Sequence, residues 1–315
     1  MDYVERYVEF LQTKASSFEE DAGVRFAIDC SSGMSSLLVR RIFPSAIVIN
    51  DEMDGNFAVH SPNPLLAEAR EMLADKVRTE GLDFGFIFDG DGDRVMVVDE
   101  AGRFIQPDYL IPVIARTMSK ATGIKSRVVL HDVRTSRGTT ETLQEEGFEP
   151  VMVPVGHAFA KPKMRELDAL CGGELAGHYY FGDFFGCDSG MLAALRIFAG
   201  YRQWREAHPG DGGNGTFSAM MRPIMTRYVN SGELNYRVMD KDRAIERALS
   251  AAESEIGAFS QARVSCIDGV RVDYEDMWFN IRKSNTEPYL RLIVEARTLD
   301  RLEDCRKTLE KAITV

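Results

Sequence analysis

Three aspartates, Asp89, Asp91 and Asp93, alternate with Gly90 and Gly92 in the stretch FIFDGDGDRVMVV, between two apolar runs and directly before Arg94. Carboxylates held that close repel one another unless a cation sits among them. The intervening glycines can take backbone conformations closed to other residues, so a loop here can fold its acids around one point. Oxygen donors without nitrogen or sulfur suit Mg²⁺ ahead of Ca²⁺ or Mn²⁺. An EF-hand is excluded, because its bidentate glutamate would have to be Glu100 and the intervening VMVV reads as strand.

A second concentration lies in IRKSNTEPYLRLIVEA, where Arg282, Lys283, Ser284, Asn285, Thr286 and Arg291 surround a strand–turn–strand. Hydroxyls, an amide and turn N–H groups flanked by guanidinium make a nest for a phosphate dianion. A capped surface turn is the plainer alternative. In GGELAGHYYF, Glu174 and His178 sit in a glycine-rich loop that could hydrogen-bond neighbouring sugar hydroxyls, or simply be solvated. PVGHAFAKPKM adds His157, Lys161 and Lys163, and HDVRTSRG adds Arg134 and Arg137, each just past a strand-like run.

Local cations matter because the whole chain is acidic, with a net charge of −11. That balance argues against a nucleic-acid or anionic-membrane surface, since a phosphate polymer would be repelled over most of the molecule. Five scattered cysteines with no CxxC pair fit reduced thiols in a cytoplasmic protein. The N-terminus MDYVERYVEFLQ has no signal-peptide pattern, and no run approaches the roughly 20 apolar residues of a membrane span.

The 315 residues are enough for two or three domains. Val4, Tyr7, Val8 and Leu11 predict an opening helix. VRFAIDCSSGMSSLLVRRIF reads as strand, turn and helix, with Ser31 or Ser32 as the N-cap. The same order recurs from Val128 and from Glu149, which is α/β grammar. VMVVDEAGRFI reads as a hairpin around Glu100 to Arg103, so the sheet is mixed. AHPGDGGNG, residues 207–215, is the clearest flexible stretch. Beyond it a helix around 240–257, strands at Val270 to Val272, Trp278 to Arg282 and Leu290 to Ala296, and a closing helix predict a small α+β domain.

Taken in order, these loops resemble those of the α-D-phosphohexomutases, the phosphomannomutase/phosphoglucomutase family, over essentially the whole chain. DGDGDR resembles the family's magnesium loop, GGELAGHYYF its sugar loop, RKSNTEPYLR its phosphate loop, and VGHAFAKPKM its third-domain loop with an active-site histidine. The resemblance implies two mixed-sheet α/β domains, residues 1–103 with the metal loop and 104–222 with the sugar loop. A TATA-binding-protein-like α+β domain, residues 223–315, would carry the phosphate loop. It implies reversible interconversion of hexose 1-phosphate and 6-phosphate through a glucose or mannose 1,6-bisphosphate. Mg²⁺ would sit on Asp89, Asp91 and Asp93, with Arg94, Arg134 and His157 assisting catalysis. Glu174 and His178 would hold the sugar, and Arg282, Ser284, Asn285, Thr286 and Arg291 the distal phosphate.

Two departures stand beside it. The family's phosphoserine motif, T-A/S-S-H-N-P, is not found. VHSPNP imitates it, but lies where the second domain carries a similar segment, so Ser61 is read as structural. The chain is therefore expected to be inactive alone, its phosphoserine domain separately encoded or removed. Ala176 stands where a serine is frequent, and Arg134 where some members have lysine. A non-catalytic sugar-phosphate-binding or regulatory protein and a metal-dependent phosphatase are the alternatives, although the latter's DxDxT/V form is lacking.

Overall fold

The computed structural model describes residues 2–15, 23–120, 125–209, 215–284 and 287–315. Helix α1 (Tyr3–Ala15) buries Val8 and Leu11, as their spacing requires. It precedes a sheet of β1 (Phe26–Asp29), β2 (Ile47–Ile49), β3 (Phe84–Phe88), β4 (Val95–Asp99) and β5 (Phe104–Ile105), covered by the short α2 (Val39–Ile42) and by α3 (Ala67–Glu80). β1 runs parallel to β2 and β3, and β3, β4 and β5 follow one another antiparallel, with the expected turn at Glu100 to Arg103.

The serine N-cap expected after β1 does not form. Ser31 and Ser32 both take left-handed backbone (φ 51° and 53°), and the Ser31 hydroxyl donates to the Phe88 carbonyl at 2.6 Å. The chain turns tightly because it must pass the DGDGDR loop: a Cβ on Gly33 would meet the Gly90 carbonyl oxygen at 2.4 Å. A 3-10 turn over Met34–Leu37 and the single turn of α2 come next, in place of one longer helix.

The second unit contains α4 (Ile111–Ser119), β6 (Val128–Asp132), α5 (Arg137–Glu145), β7 (Glu149–Val153), α6 (His157–Glu166), β8 (Cys171–Gly173), β9 (Tyr179–Phe181), β10 (Cys187–Asp188), α7 (Gly190–Ala207) and α8 (Phe217–Met225). Its strand order, β7-β6-β8-β9-β10, repeats the first sheet's β2-β1-β3-β4-β5, with the same parallel and antiparallel pairings. The DGDGDR loop between β3 and β4 and the ELAGH loop between β8 and β9 are thus equivalent hairpin loops of two like-built units. Most of the 207–215 stretch lies outside the described residues.

The two sheets share one core. Phe26, Phe84 and Phe86 of the first pack with Phe198 and Tyr201 of α7 and Phe217 of α8, at ring separations of 5.0–6.4 Å. Each such aromatic pair contributes about 0.5–1.5 kcal/mol beyond its buried area. The consequence is positional: the two hairpin loops are held relative to each other by a dry, close-packed layer.

The third unit is an antiparallel sheet, ordered β11-β16-β15-β14-β13, with β12 also pairing β16. Its strands are β11 (Val229–Asn230), β12 (Leu234–Tyr236), β13 (Arg263–Ser265), β14 (Val270–Asp273), β15 (Met277–Lys283) and β16 (Leu290–Ala296). Helices α9 (Lys241–Ala251) and α10 (Leu299–Thr314) bury Ala244, Ala248, Leu302, Leu309 and Ile313 against one face. The helix expected over 240–257 ends at Ala251 and continues as a wider π turn to Ile256. Polar ties fix this unit to the second. The Arg271 guanidinium, stacked 3.6 Å from the Trp278 ring centroid, donates to the carbonyls of Val133 and Thr135 at 2.6 and 3.2 Å. No disulfide joins any of the five cysteines. Among the described residues no helix is long and apolar enough to cross a membrane.

Candidate active site

Asp89 follows β3 directly and is buried. Its Oδ1 accepts the N–H groups of Gly92 and Arg94, both at 3.1 Å, and its Oδ2 accepts Arg94 Nε at 2.6 Å. Gly92 supplies the left-handed turn (φ +80°) that brings the next acids round. Gly90 is needed for room instead: a Cβ there would sit 3.0 Å from the Phe57 ring and 3.2 Å from Pro62. One carboxylate oxygen from each of Asp89, Asp91 and Asp93 lies within 4.8 Å of the others. Burial, then the neighbouring Asp89 charge, raises the Asp91 pKa. Three hard oxygen donors crowded so that one resists ionising fit a divalent cation such as Mg²⁺. Glu100 has no part in this cluster; it accepts from the Ser218 N–H and hydroxyl.

The sugar-loop hairpin lies against this one. Val95 donates to the Gly177 carbonyl, and Arg94 and His178 form an isolated β-bridge. Gly177, at φ +90°, has the Met96 side chain where a Cβ would be, at 2.9 Å. His178 Nδ1 is 3.1 Å from Asp188 and 3.6 Å from Asp93. Burial works against its charged form, but Asp188, Asp93 and Glu174 outweigh it and raise its pKa. Asp188 also takes Lys161 at 2.7 Å. Burial resists ionisation of that carboxyl, yet its two cationic partners hold it at about 2.

Glu174 is buried. It accepts the Tyr180 hydroxyl at 2.5 Å and lies 3.8 Å from Arg134. Burial and the Asp132 charge raise its pKa. Arg134 is itself buried, its Nη2 2.7 Å from Asp132 Oδ2, and the same oxygen accepts the Leu175 N–H at 3.0 Å. From Arg134 the chain of charge crosses into the third unit: Nη1 reaches Glu233 Oε2 at 3.1 Å, and Glu233 Oε1 receives Arg282 at 2.9 Å and Arg291 at 3.1 Å. Ser284 uses its hydroxyl to accept the Glu287 N–H, closing the turn. Asn285 and Thr286 lie outside the described residues.

A row of neighbouring charged groups therefore runs from Asp93 through His178, Glu174 and Arg134 to Glu233, Arg282 and Arg291, hydrogen-bonded from Arg134 onward and joined before it by contacts of 3.6–3.8 Å and by the Glu174 N–H donating to the His178 carbonyl. His157 stands on the exposed first turn of α6, and among the described residues no hydrogen bond joins it to that row. Of the other cations named from sequence, Lys163 pairs with Glu166 on the surface. Arg137 is turned away to Asp273 and the carbonyls of Glu275 and Met277, where it ties the second unit to the third. The Ser61 hydroxyl accepts the Asn63 N–H, a turn contact. Sequence reasoning missed Asp132, Asp188, Tyr180 and Glu233. Asp132 had a signal: it ends β6 as Asp29 ends β1, and each accepts the N–H two residues on. Glu233 had none in its local pattern.

Known proteins resemble this chain over most of its length. Family models described as phosphoglucomutase/phosphomannomutase domain II, domain III and C-terminal domain match residues 5–102, 106–207 and 233–312. Phosphohexose mutases of Xanthomonas campestris are 34% identical over 279 residues, covering 87% of this chain and 58% of the relative. A phosphomannomutase of Methanocaldococcus jannaschii is 30% identical over 313 residues, covering 99% and 64%. The chain thus spans about 58–64% of the length of these relatives.

A phosphoglucomutase/phosphomannomutase family protein of Burkholderia thailandensis superposes with a TM-score of 0.81 at 26% identity, covering 99% of this chain and 64% of that one. The fold is also that of Aspergillus fumigatus N-acetylphosphoglucosamine mutase, with TM-scores of 0.63 and 0.67 at 15% and 13% identity. It covers 98% and 96% of this chain and 64% and 69% of those. Those two structures are in complex with glucose 1,6-bisphosphate and with GlcNAc-6P and magnesium, respectively. Two like-built mixed sheets with a metal-type hairpin loop, followed by an antiparallel sheet with an arginine nest, define a phosphosugar mutase architecture. The chain belongs to the phosphoglucomutase/phosphomannomutase family.

Proposed function

We propose that this chain forms the metal, sugar and distal-phosphate parts of a phosphohexomutase that interconverts hexose 1-phosphates and 6-phosphates through a 1,6-bisphosphate. The observation that carries the reading is the row of neighbouring charged groups that leads from the Asp89–Asp91–Asp93 loop to Arg282 and Arg291. The family relatives and the bisphosphate and magnesium in the Aspergillus structures support it. The three units are taken as residues 1–103, 104–222 and 223–315.

Phosphoryl transfer asks mainly for positioning and charge neutralisation. Mg²⁺ on Asp89, Asp91 and Asp93 would supply Lewis-acid stabilisation of the moving group. Arg94, fixed by Asp89, directs a guanidinium to the same loop. Arg282 and Arg291, with Ser284, Asn285 and Thr286, grip the phosphate that does not react. Glu174 meets sugar hydroxyls, and His178, held between Asp188 and Asp93, orients substrate. Arg134 and His157 are assigned to the reacting end. The phosphoserine comes from a unit outside these residues.

The test mixes the chain with Mg²⁺, glucose or mannose 1-phosphate and a trace of the 1,6-bisphosphate, with and without a separately expressed phosphoserine domain of a relative. Product 6-phosphate only with the added domain supports the reading. Turnover by the chain alone would place the nucleophile within it, Ser61 being the first candidate. Release of inorganic phosphate would show a phosphatase, and binding without product in both mixtures a regulatory protein.

A further inference from the structure

Glu233 lies beside Gly232 in the turn between β11 and β12, and its carboxylate receives three guanidinium groups from two units of the fold. Oε1 is shared by Arg282 and Arg291, and Oε2 takes Arg134. Several N–H donors converging on a small oxyanion is the arrangement a phosphate group requires. We propose that the Glu233 carboxylate is a built-in stand-in for substrate phosphate: it fills the arginine nest in the absence of ligand, and a phosphate dianion displaces it from Arg282 and Arg291. The inference rests on the reading of this nest as the distal-phosphate grip, and names the residue that regulates access to it.

The charge count favours exchange. Arg134 is already matched by Asp132, with hydrogen bonds from three of its nitrogens, Nε, Nη2 and the backbone N. Among the groups in contact, Glu233 therefore faces Arg282 and Arg291 with one negative charge against two positive; Asp268 adds a further negative charge near Arg282 without an ion-pair contact to it. Glu287 on Arg291 is half exposed, so solvent screens it. The excess positive charge shows at Arg282, while the arginines hold Glu233 ionised. Burial, countered by Glu233 but reinforced by Arg134 and Arg291, lowers the Arg282 pKa; Glu233, despite burial, is pulled down by the three arginines. A dianion balances the pair better than a carboxylate does. The backbone of the turn is held by Asn230, Ser231 and Val294, so exchange asks only the Glu233 side chain to move, beside the open space at the left-handed Gly232 (φ +69°).

A residue that merely braced the structure would weaken phosphate binding when altered; a stand-in would strengthen it. Wild type, Glu233→Gln and Glu233→Asp are titrated with inorganic phosphate and with glucose 6-phosphate by calorimetry at fixed ionic strength, and melted with and without phosphate. Glu233→Gln is expected to bind inorganic phosphate at least tenfold more tightly than wild type. Its Tm, lowered in phosphate-free buffer, should rise more on adding phosphate than wild type's does. Glu233→Asp, which keeps the charge, should stay near wild type.

Phosphate binding by a folded Glu233→Gln that is no tighter than wild type overturns the proposal. If wild type then still binds glucose 6-phosphate, the assignment of the nest survives; if neither protein binds either anion, both fall. Should Glu233→Gln be unfolded without phosphate, recovery of its circular dichroism on adding phosphate supports the stand-in, and failure to recover counts against it.

Discussion

Arg134 and Glu233, 99 residues apart in sequence, meet at 3.1 Å and join the loop after β6 to the turn before β12. Through this one contact the sugar-loop side of the cleft and the arginine nest become a single electrostatic system. Ligands that touch one end only therefore distinguish a local effect from one carried across this contact.

Replacing Arg282 by alanine removes a buried guanidinium from the nest and leaves the metal loop untouched. Charge-assisted hydrogen bonds of this kind contribute about 1.5–3 kcal/mol, so glucose 6-phosphate affinity should fall by roughly ten- to a hundredfold. Mg²⁺ affinity should stay within about a factor of two. Equal losses in calorimetric titrations of both ligands would sink the division of labour between the loops.

Tyr180 holds Glu174 by a 2.5 Å hydrogen bond. Tyr180→Phe leaves a buried acceptor short of a donor, costing about 1–3 kcal/mol of stability in a denaturant titration. If Glu174 meets sugar hydroxyls as proposed, glucose 6-phosphate binding should weaken while inorganic phosphate binding holds. A matching drop for both anions would show that Tyr180 acts on the whole cleft.

Gly33 has backbone, not a flexible side chain, where its Cβ would go: the Gly90 oxygen at 2.4 Å. Gly33→Ala must push the turn after β1 away from the loop that carries Asp89, Asp91 and Asp93. The expected result is a stability loss of about 1–3 kcal/mol, the usual cost of overpacking, together with weaker Mg²⁺ binding. Unchanged Mg²⁺ affinity would mean that the loop keeps its shape without this contact.

Asp108, wholly buried near the junction of the second and third units, has its carboxyl pushed up to about 7 by burial. The Ser136 N–H opposes that shift, and the charges of Glu295 and Asp132 add to it. In the unfolded chain it titrates near 3.8. Between those values the folded state binds the extra proton, so this group's contribution to stability is full below about 3.8 and lost as pH rises through about 7. The effect is on the order of a few kcal/mol. Asp108→Asn should flatten that part of the stability–pH curve measured by urea unfolding; an unaltered slope would assign it to another group.

Much of the site could be read directly. The acid–glycine alternation at 89–93 and the arginine, serine and asparagine at 282–285 lie within short stretches of sequence, where residue type and spacing are enough to state a chemistry. Strand periodicity located the loops that bear them, and four motifs in order carried the family resemblance. Misreadings came where a neighbour distant in sequence overrode local preference. Ser31 and Ser32 look like N-caps, but the turn is bent by the passing Gly90 backbone. Arg137 looks like a site cation, but Asp273 and two carbonyls draw it into the junction between units.

What the amino-acid order determined alone is the inventory of charged loops and the elements that end in them, because hydrophobic period and turn chemistry act over about ten residues. Only the tertiary structure decided which loops face one another. The shared aromatic core sets the two hairpins side by side, and Glu233, unremarkable in its own turn, becomes the hub of three arginines. Its partners are brought to it by folding over dozens of residues, and no local pattern encodes that meeting.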